Sequence, residues 1–121
     1  MNPNKQMPAT RFVASNVIAK RIDTGDGNVA AAVTDATQRL INMGMHMGMA
    51  AEMAQDVRYR LDGDTELHRY QRLLATHDWT FGYSDDSRAF SAGATERARL
   101  NMIAARLDPD RKLWEEYARC E

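Results

Sequence analysis

Cysteine is almost absent from this chain of 121 residues, since its single copy, Cys120, stands next to the last residue. One cysteine cannot form an internal disulfide or build a cysteine-based zinc cage, which excludes both kinds of scaffold. Long hydrophobic runs are also missing, because no stretch reaches the ~18 uninterrupted apolar residues of a membrane-spanning helix. The first seven residues lack the apolar core of a signal peptide. We therefore expect a cytoplasmic protein with no membrane association.

Charge of one sign is not in excess either. The 16 lysines and arginines are balanced by 17 aspartates and glutamates, so that the net charge is −1 and the isoelectric point is about 6.3. A nucleic-acid-binding domain normally shows a basic stripe and a high isoelectric point. Direct binding of DNA or RNA is therefore not expected from the composition.

The spacing patterns of common catalytic sites are missing as well, among them HExxH, a glycine-rich phosphate loop and GxSxG. His77 and Asp78 could serve as a general base or as metal ligands, but no second motif completes a site around them. The sequence predicts no catalytic residue, no metal site and no cofactor. We expect a protein that is not an enzyme.

Helical periodicity runs through most of the chain, whereas strand patterns are rare, which predicts an all-α fold. We expect one small helical domain over residues 1–121, with four to five helices, one long central helix and a flexible segment at residues 1–8. The first helix is predicted over residues 9–22, and Asn28 is a good N-cap for the second. The apolar stripe of the first helix consists of Phe12, Val13, Val17 and Ile18.

Residues 29–61 carry the clearest pattern, because alternating steps of four and three residues meet ten apolar side chains in succession. They are Val29, Val33, Ala36, Leu40, Met43, Met47, Ala50, Ala54, Val57 and Leu61. A continuous helix of this length would span about 50 Å, which is longer than a domain of this size is wide. We expect the helix to bend, to break near Gly44 and Gly48, or to extend into a partner molecule.

Residues 43–49 (MGMHMGM) combine four methionines with two glycines that stand four residues apart. Thioether and imidazole ligands would select Cu(I), but on a continuous helix they do not converge, so we interpret the methionines as packing residues. Glycines four apart let a second helix approach closely, and flexible methionines adapt to it. We predict a homodimer whose interface contains Met43, Gly44, Met47 and Gly48.

Beyond residue 61, Asp62 and Gly63 are predicted to end this helix, and Asp64 to cap the next. The apolar stripe of that next helix consists of Leu67, Tyr70 and Leu74. Farther along, Ser84 is the expected N-cap of a helix that continues to residue 107. Asp108 and Pro109 are expected to begin the last helix, as its N-cap and first residue.

The segment between these helices holds Trp79, Phe81 and Tyr83, which alternate with polar or small residues, so that in an extended chain their rings share one face. We predict that this segment binds a partner. The predicted binding residues are Trp79, Phe81, Tyr83, Asp85, Asp86 and Arg88. The alternative is that the three rings fill the core between helices while the two aspartates stabilise the start of a helix.

The stretch HDWTFGYSDDSRAF, residues 77–90, resembles a segment of small uncharacterised proteins of bacteriophages and plasmids, with the tryptophan, the alternating aromatics and SDD in that order. The resemblance implies a mobile-element protein that binds a host protein or ribonucleoprotein complex, and inhibitors of CRISPR effectors are similar in size. It carries over no catalytic or binding residue. We expect a noncatalytic protein-binding protein, such as an anti-CRISPR inhibitor, that inhibits or modulates a host assembly.

An alternative function is that of a nucleic-acid-associated regulatory protein of a phage or plasmid. In that case phosphate would be contacted by Arg58, Arg60, Arg69 and Arg72. Three acids, Asp62, Asp64 and Glu66, stand close to these arginines in the sequence. The interpretation that we favour for this cluster is salt-bridged charge that faces solvent.

Overall fold

The computed structural model describes residues 7–25, 27–79 and 87–118, with the backbone alone for residues 87–94. The described parts of the chain contain six α-helices and no strand, which confirms the all-α prediction and exceeds the four to five helices expected. The helices are α1 (Ala9–Thr24), α2 (Val29–Asn42), α3 (Met47–Leu61), α4 (Glu66–Thr76), α5 (Ser87–Leu107) and α6 (Lys112–Tyr117). Among the helices described, none is both long and apolar enough to cross a membrane.

The chain divides into two compact units. The N-terminal unit, Met7–Thr76, contains α1 to α4, and the C-terminal unit contains α5 and α6 and begins at His77. The prediction of a single domain over residues 1–121 stays a prediction. Of the segment expected to be flexible, residues 1–6 lie outside the described residues, Met7 is buried, and Pro8 is the N-cap residue of α1.

In the N-terminal unit, α1 packs against α2, α3 and α4. The buried face of α1 differs from the predicted stripe, because of the four predicted side chains only Ile18 is buried. The small residues Ala14, Ser15 and Ala19 complete that face. Small side chains let helices approach closely. Alanines therefore make much of the buried contact between these helices, where larger side chains would hold them farther apart. The other buried alanines of this unit are Ala32, Ala36, Ala50, Ala54 and Ala75.

The prediction of one long central helix is wrong, because the chain turns between Asn42 and Met47. Gly44 has a φ of +100°, and the N–H groups of Gly44 and Met45 donate to Ile41 and Leu40 carbonyls at 2.9 and 3.0 Å. These two bonds are those of a Schellman motif, in which glycine takes the position that other residues disfavour. The next helix, α3, then begins with His46 as its N-cap. The break falls at Gly44, one of the two places expected.

The predicted apolar seam survives this break except at the turn itself. Seven of its ten members are buried: Val33, Ala36, Leu40, Ala50, Ala54, Val57 and Leu61. Val29 is half-buried, whereas Met43 and Met47 are exposed. Met43 lies in the turn and Met47 directly follows it, where the chain leaves the core.

The junction between α3 and α4 corrects a second prediction. Thr65, rather than Asp64, caps α4, since its hydroxyl oxygen accepts a hydrogen bond from the His68 N–H at 3.1 Å. Gly63 does not have the positive φ expected of it. Its lack of a side chain matters for another reason, because a Cβ at this position would lie 2.5 Å from the His68 ring.

In the C-terminal unit, α5 ends at Leu107 as predicted, and its first residue is Ser87, so the expected cap Ser84 lies outside the described residues. The last helix begins later than expected, at Lys112 instead of Pro109. Asp108 still caps it, because its carboxylate accepts from the N–H groups of Leu113 and Trp114 at 3.2 and 3.0 Å. The cap acts across a turn that separates Asp108 from the helix.

Candidate functional site

Trp79, the first residue of the predicted binding segment, is buried in a cluster of rings and cations in the C-terminal unit. The ring of Trp79 meets the His77 and Trp114 rings edge-on, with centroids 4.6 and 5.3 Å apart. The Arg97 guanidinium lies 5.2 Å above Trp79, and Arg111 lies 5.1 Å above Trp114. Edge-on ring pairs and cations above indole faces stabilise buried aromatic clusters. Trp79 therefore packs within the C-terminal unit, and its predicted role in binding a partner stays a prediction.

The other predicted binding residues are not positioned by the structure. Phe81, Tyr83, Asp85 and Asp86 lie outside the described residues, and Arg88 is described only as backbone within α5. Their role in binding stays a prediction.

His77 lies at the centre of this aromatic cluster and has no exposed side-chain surface. Its Nε2 accepts a hydrogen bond from the Nε–H of Arg97 at 2.9 Å, so the ring proton resides on Nδ1, which donates to the Glu96 carboxylate. Both ring nitrogens are thus engaged, and neither can reach a substrate. These two bonds join His77 to two neighbouring residues of α5 within the C-terminal unit. The sequence does not identify Glu96 and Arg97 as partners of His77. They lie 19 and 20 residues from it along the chain, and no local motif links them to it.

Exposed apolar side chains of the N-terminal unit cluster in the methionine turn, residues 43–49. Met43, Met47 and Met49 expose 47%, 67% and 59% of their surface, and Met45 is half-buried. Met43, Met47 and Met49 therefore do not pack in the core of the single chain, and their packing against a partner stays a prediction. The turn at residues 43–46 removes them from the core.

The backbone of the methionine turn is fixed even though its side chains are exposed. The Schellman bonds close the end of α2, and His46 Nδ1 accepts from the Gly48 N–H at 3.1 Å to start α3. Gly44 lies in the turn, so it does not share a helix face with Gly48 as the predicted dimer interface required. The described residues include no group of three or more His, Cys, Asp or Glu side chains that could hold a metal ion.

A second surface, which the sequence pattern did not single out, lies on α5. We call it the α5 outer face, and its residues are Thr95, Ala98, Arg99, Met102, Ile103 and Arg106. These described residues line a surface cavity of about 460 Å³, and Met102 exposes 76% of its surface. These residues recur at helical spacing on the side of α5 opposite the buried Leu100 and Ala104. That spacing is the feature of the sequence from which this face could have been identified.

Three of the four arginines of the alternative function, Arg58, Arg60 and Arg72, bond within the protein. Arg72 is 7% exposed, and its guanidinium bonds to Asp23 and to the carbonyls of Leu61 and Gly63. The other contacts are weaker: Arg58 lies 3.5 Å from Asp62, and Arg60 donates to Gln71 at 3.4 Å. Arg72 cannot present its guanidinium to a nucleic-acid phosphate in this arrangement.

Comparison with known proteins gives no further guide to the site, since no protein-family model matches the chain and neither the curated proteins nor the solved structures contain a significant match to it.

Proposed function

We propose that this chain is a noncatalytic protein-binding protein and that the methionine turn is its principal contact surface. The observation that carries the proposal is the exposure of Met43, Met47 and Met49 on one short turn. Exposed apolar groups that the fold does not need mark sites of association. Methionine suits such a site because its unbranched, polarizable side chain adapts to the shape of a partner.

The local structure supports binding in a second way. Leu40 and Ala50, on either side of the turn, are fully buried and hold its two ends in the core. A backbone that is already ordered loses little entropy on association, so most of the apolar area buried would contribute to affinity. The combination of a fixed backbone and adaptable side chains favours recognition of a protein surface.

The resemblance of residues 77–90 to mobile-element proteins supplies the context for this function. On that basis we propose that the partner is a host protein or ribonucleoprotein complex, such as a CRISPR effector, that the chain inhibits or modulates it, and that it acts in the cytoplasm. Binding is favoured over catalysis because His77, the histidine paired with a carboxylate, is buried with both nitrogens engaged.

The test compares the unmodified protein with a variant that carries Met43→Gln, Met47→Gln and Met49→Gln, both tagged and expressed in the host. Proteins that copurify are quantified by mass spectrometry. We expect the amount of a stoichiometric partner that copurifies with the triple variant to fall at least about tenfold. A few residues supply most of the binding free energy of an interface. Leu67→Gln, which changes an exposed apolar side chain on α4, is the matched control and should retain the partner.

A separate variant, Asp85→Ala with Asp86→Ala, tests the predicted binding segment in the same experiment. Loss of the partner in this variant alone would assign binding to residues 79–88 instead of the methionine turn. Retention in all variants would contradict the proposal.

A further inference from the structure

The methionine turn concentrates the thioether side chains of the chain. Four of the eight methionines stand within residues 43–49. Three of these four are exposed, namely Met43, Met47 and Met49. Elsewhere in the described residues, Met102 is the one methionine of comparable exposure, and Met7 is buried against Ser15, whose hydroxyl donates to its sulfur at 4.0 Å. Solvent therefore reaches more thioether groups at the methionine turn than at any other described segment.

Exposure of a thioether determines its reactivity toward peroxides, because the oxidant must reach the sulfur. A sulfur lone pair attacks one oxygen of hydrogen peroxide or of an organic hydroperoxide, the O–O bond breaks, and an S–O bond forms. The proton of the transferred hydroxyl passes to the other oxygen, which leaves as water or as an alcohol. Sulfur loses two electrons and the peroxide gains them. The product, methionine sulfoxide, is polar, and two reductases, one for each epimer, return it to methionine.

The backbone of the methionine turn does not depend on any sulfur atom. The N–H groups of Gly44 and Met45 donate to carbonyls of α2, and His46 Nδ1 accepts from the Gly48 N–H. The three exposed side chains lie outside the core, so an added oxygen displaces no buried group. Oxidation therefore changes the polarity of the surface and leaves the helices in place.

The polarity of this surface comes from few other groups. Residues 42–50 contain no aspartate, glutamate, lysine or arginine, so the exposed thioethers dominate what the turn presents to a partner. A sulfoxide oxygen accepts hydrogen bonds from water and loses them when an apolar surface covers it. Burial of a polar group without a new hydrogen bond is unfavourable. Each oxidised methionine therefore opposes apolar contact at the turn.

We propose that the methionine turn is a site of reversible oxidation by peroxides, which converts an apolar surface into a polar one while the helices stay folded. The modified residues are Met43, Met47 and Met49. The consequence for binding rests on the proposed function: the reduced turn binds the partner, and the oxidised turn releases it. This inference adds a covalent modification and a chemical signal to the contact surface described above.

The first experiment measures which methionines react. The full-length protein is treated with hydrogen peroxide at nanomolar protein concentration, where a dimer of micromolar affinity is dissociated and its surface is uncovered. Peptide mass spectrometry then locates each added oxygen over time. We expect the three turn methionines to react at least about tenfold faster than Met7, with an unchanged helix content by circular dichroism. Equal rates, or loss of helix when the turn is oxidised, would overturn the proposal.

The second experiment isolates the methionine turn with a matched pair of variants. Met102→Leu removes the other exposed methionine. The second member of the pair carries Met43→Leu, Met47→Leu and Met49→Leu in addition, because leucine has a similar volume and no oxidisable sulfur. A fluorescent dye that binds exposed apolar surface is added before and after peroxide treatment of each variant.

We expect the dye fluorescence of the Met102→Leu variant to fall at least about twofold on oxidation and to recover when both sulfoxide reductases are added. The variant with the three additional leucines should show no such fall. An equal fall in both variants, or no fall in either, would overturn the proposal.

The copurification experiment of the proposed function supplies a third readout, in which each variant is compared with its own untreated sample. Oxidation should reduce the partner retained by the Met102→Leu variant at least about tenfold and should not reduce the amount retained by the variant with three additional leucines. Full retention by the oxidised Met102→Leu variant would overturn release of the partner. Absence of any partner before treatment would contradict the proposed function instead, and the oxidation rates and dye binding would still decide this inference.

Discussion

At the scale of single residues, Arg72 has the most consequential contacts in the N-terminal unit. Its Nε donates to Asp23 Oδ1 at 2.7 Å, and its Nη1 donates to the Leu61 and Gly63 carbonyls at 2.8 Å each. One side chain on α4 thereby joins the end of α1 to the junction that follows α3. The Asp23 side chain is 42% exposed, so solvent screens the ion pair and the two carbonyl bonds contribute the larger share.

We predict that Arg72→Met lowers the free energy of unfolding by about 2–4 kcal/mol, because two carbonyls in a largely buried site lose a charged donor. Urea denaturation monitored by circular dichroism measures this change. Arg69→Met, on the exposed side of the same helix, should change stability by no more than about 0.5 kcal/mol. A loss for Arg72→Met as small as that of its control would show that the contacts contribute little.

Whether the role of a residue can be predicted from the sequence depends on how far along the chain its hydrogen-bond partners lie. Asn28 was identified as an N-cap from the sequence, and its side chain accepts from the Ala31 N–H at 3.0 Å. The partner of that cap is three residues away, so local pattern suffices. The sequence predicts Arg72 to face solvent or to contact phosphate, because its acceptors lie 9, 11 and 49 residues away and leave no local signature.

At the scale of elements, the turn between α2 and α3 decides the shape of the N-terminal unit. With a continuous helix over residues 29–61, Leu40 and Val57 would be far apart along one axis. With the turn, α2 and α3 pack against each other and both contact α1. Alanines at the buried positions of both helices allow that close packing.

We predict that Gly44→Ala lowers the free energy of unfolding by about 1–3 kcal/mol, because alanine is strained at a φ of +100°. Thermal unfolding provides the measurement, with Gly48→Ala as the control. A Cβ at Gly48 would lie 3.5 Å from the His46 ring, an ordinary contact, so the control should be neutral or slightly stabilised. Equal stability of the two variants would mean that the turn does not depend on its glycine.

At the scale of the whole molecule, the question is whether two copies associate through the methionine turn, as the sequence predicted. The Gly44 and Gly48 strip on which that prediction relied does not exist on one helix, but the exposed methionines beside it retain an apolar surface. A homodimer through Met43 and Met47 therefore stays a prediction with a different physical basis, and it would compete with the proposed partner for the methionine turn. Contact would be made by thioether side chains rather than by close helix backbones.

We predict a dimer at micromolar concentration that Gly48→Leu or Met47→Glu converts to a monomer. Each change places a bulky or charged group in a packed contact, at a cost of about 1–3 kcal/mol or more. Light scattering measures the mass. Circular dichroism should show an unchanged helix content, because both positions are exposed in the single chain. A monomeric mass for the unmodified protein would contradict the prediction.

Periodicity and local capping by themselves determined the helical class, the position of α1 and most of the buried face of α2 and α3. Helical spacing is a property of neighbouring residues, so it can be read without knowing what they pack against. The same reasoning names Gly44 as a place where the helix can break but does not decide between a break and a continuous helix, since methionine counts as apolar in a pattern whether it is buried or exposed. Buried members of the seam lie on both sides of the break, so the apolar pattern alone does not reveal it.

Only the tertiary structure decided which of the candidate residues are buried and which are exposed. It placed Trp79 in a buried cluster with Arg97 and Trp114, which lie 18 and 35 residues farther along the chain. It also exposed Met47 and Met102, whose types alone predict burial. Burial of a side chain depends on which helices pack against each other. Contacts between distant segments are determined by the free energy of the whole fold rather than by any local pattern.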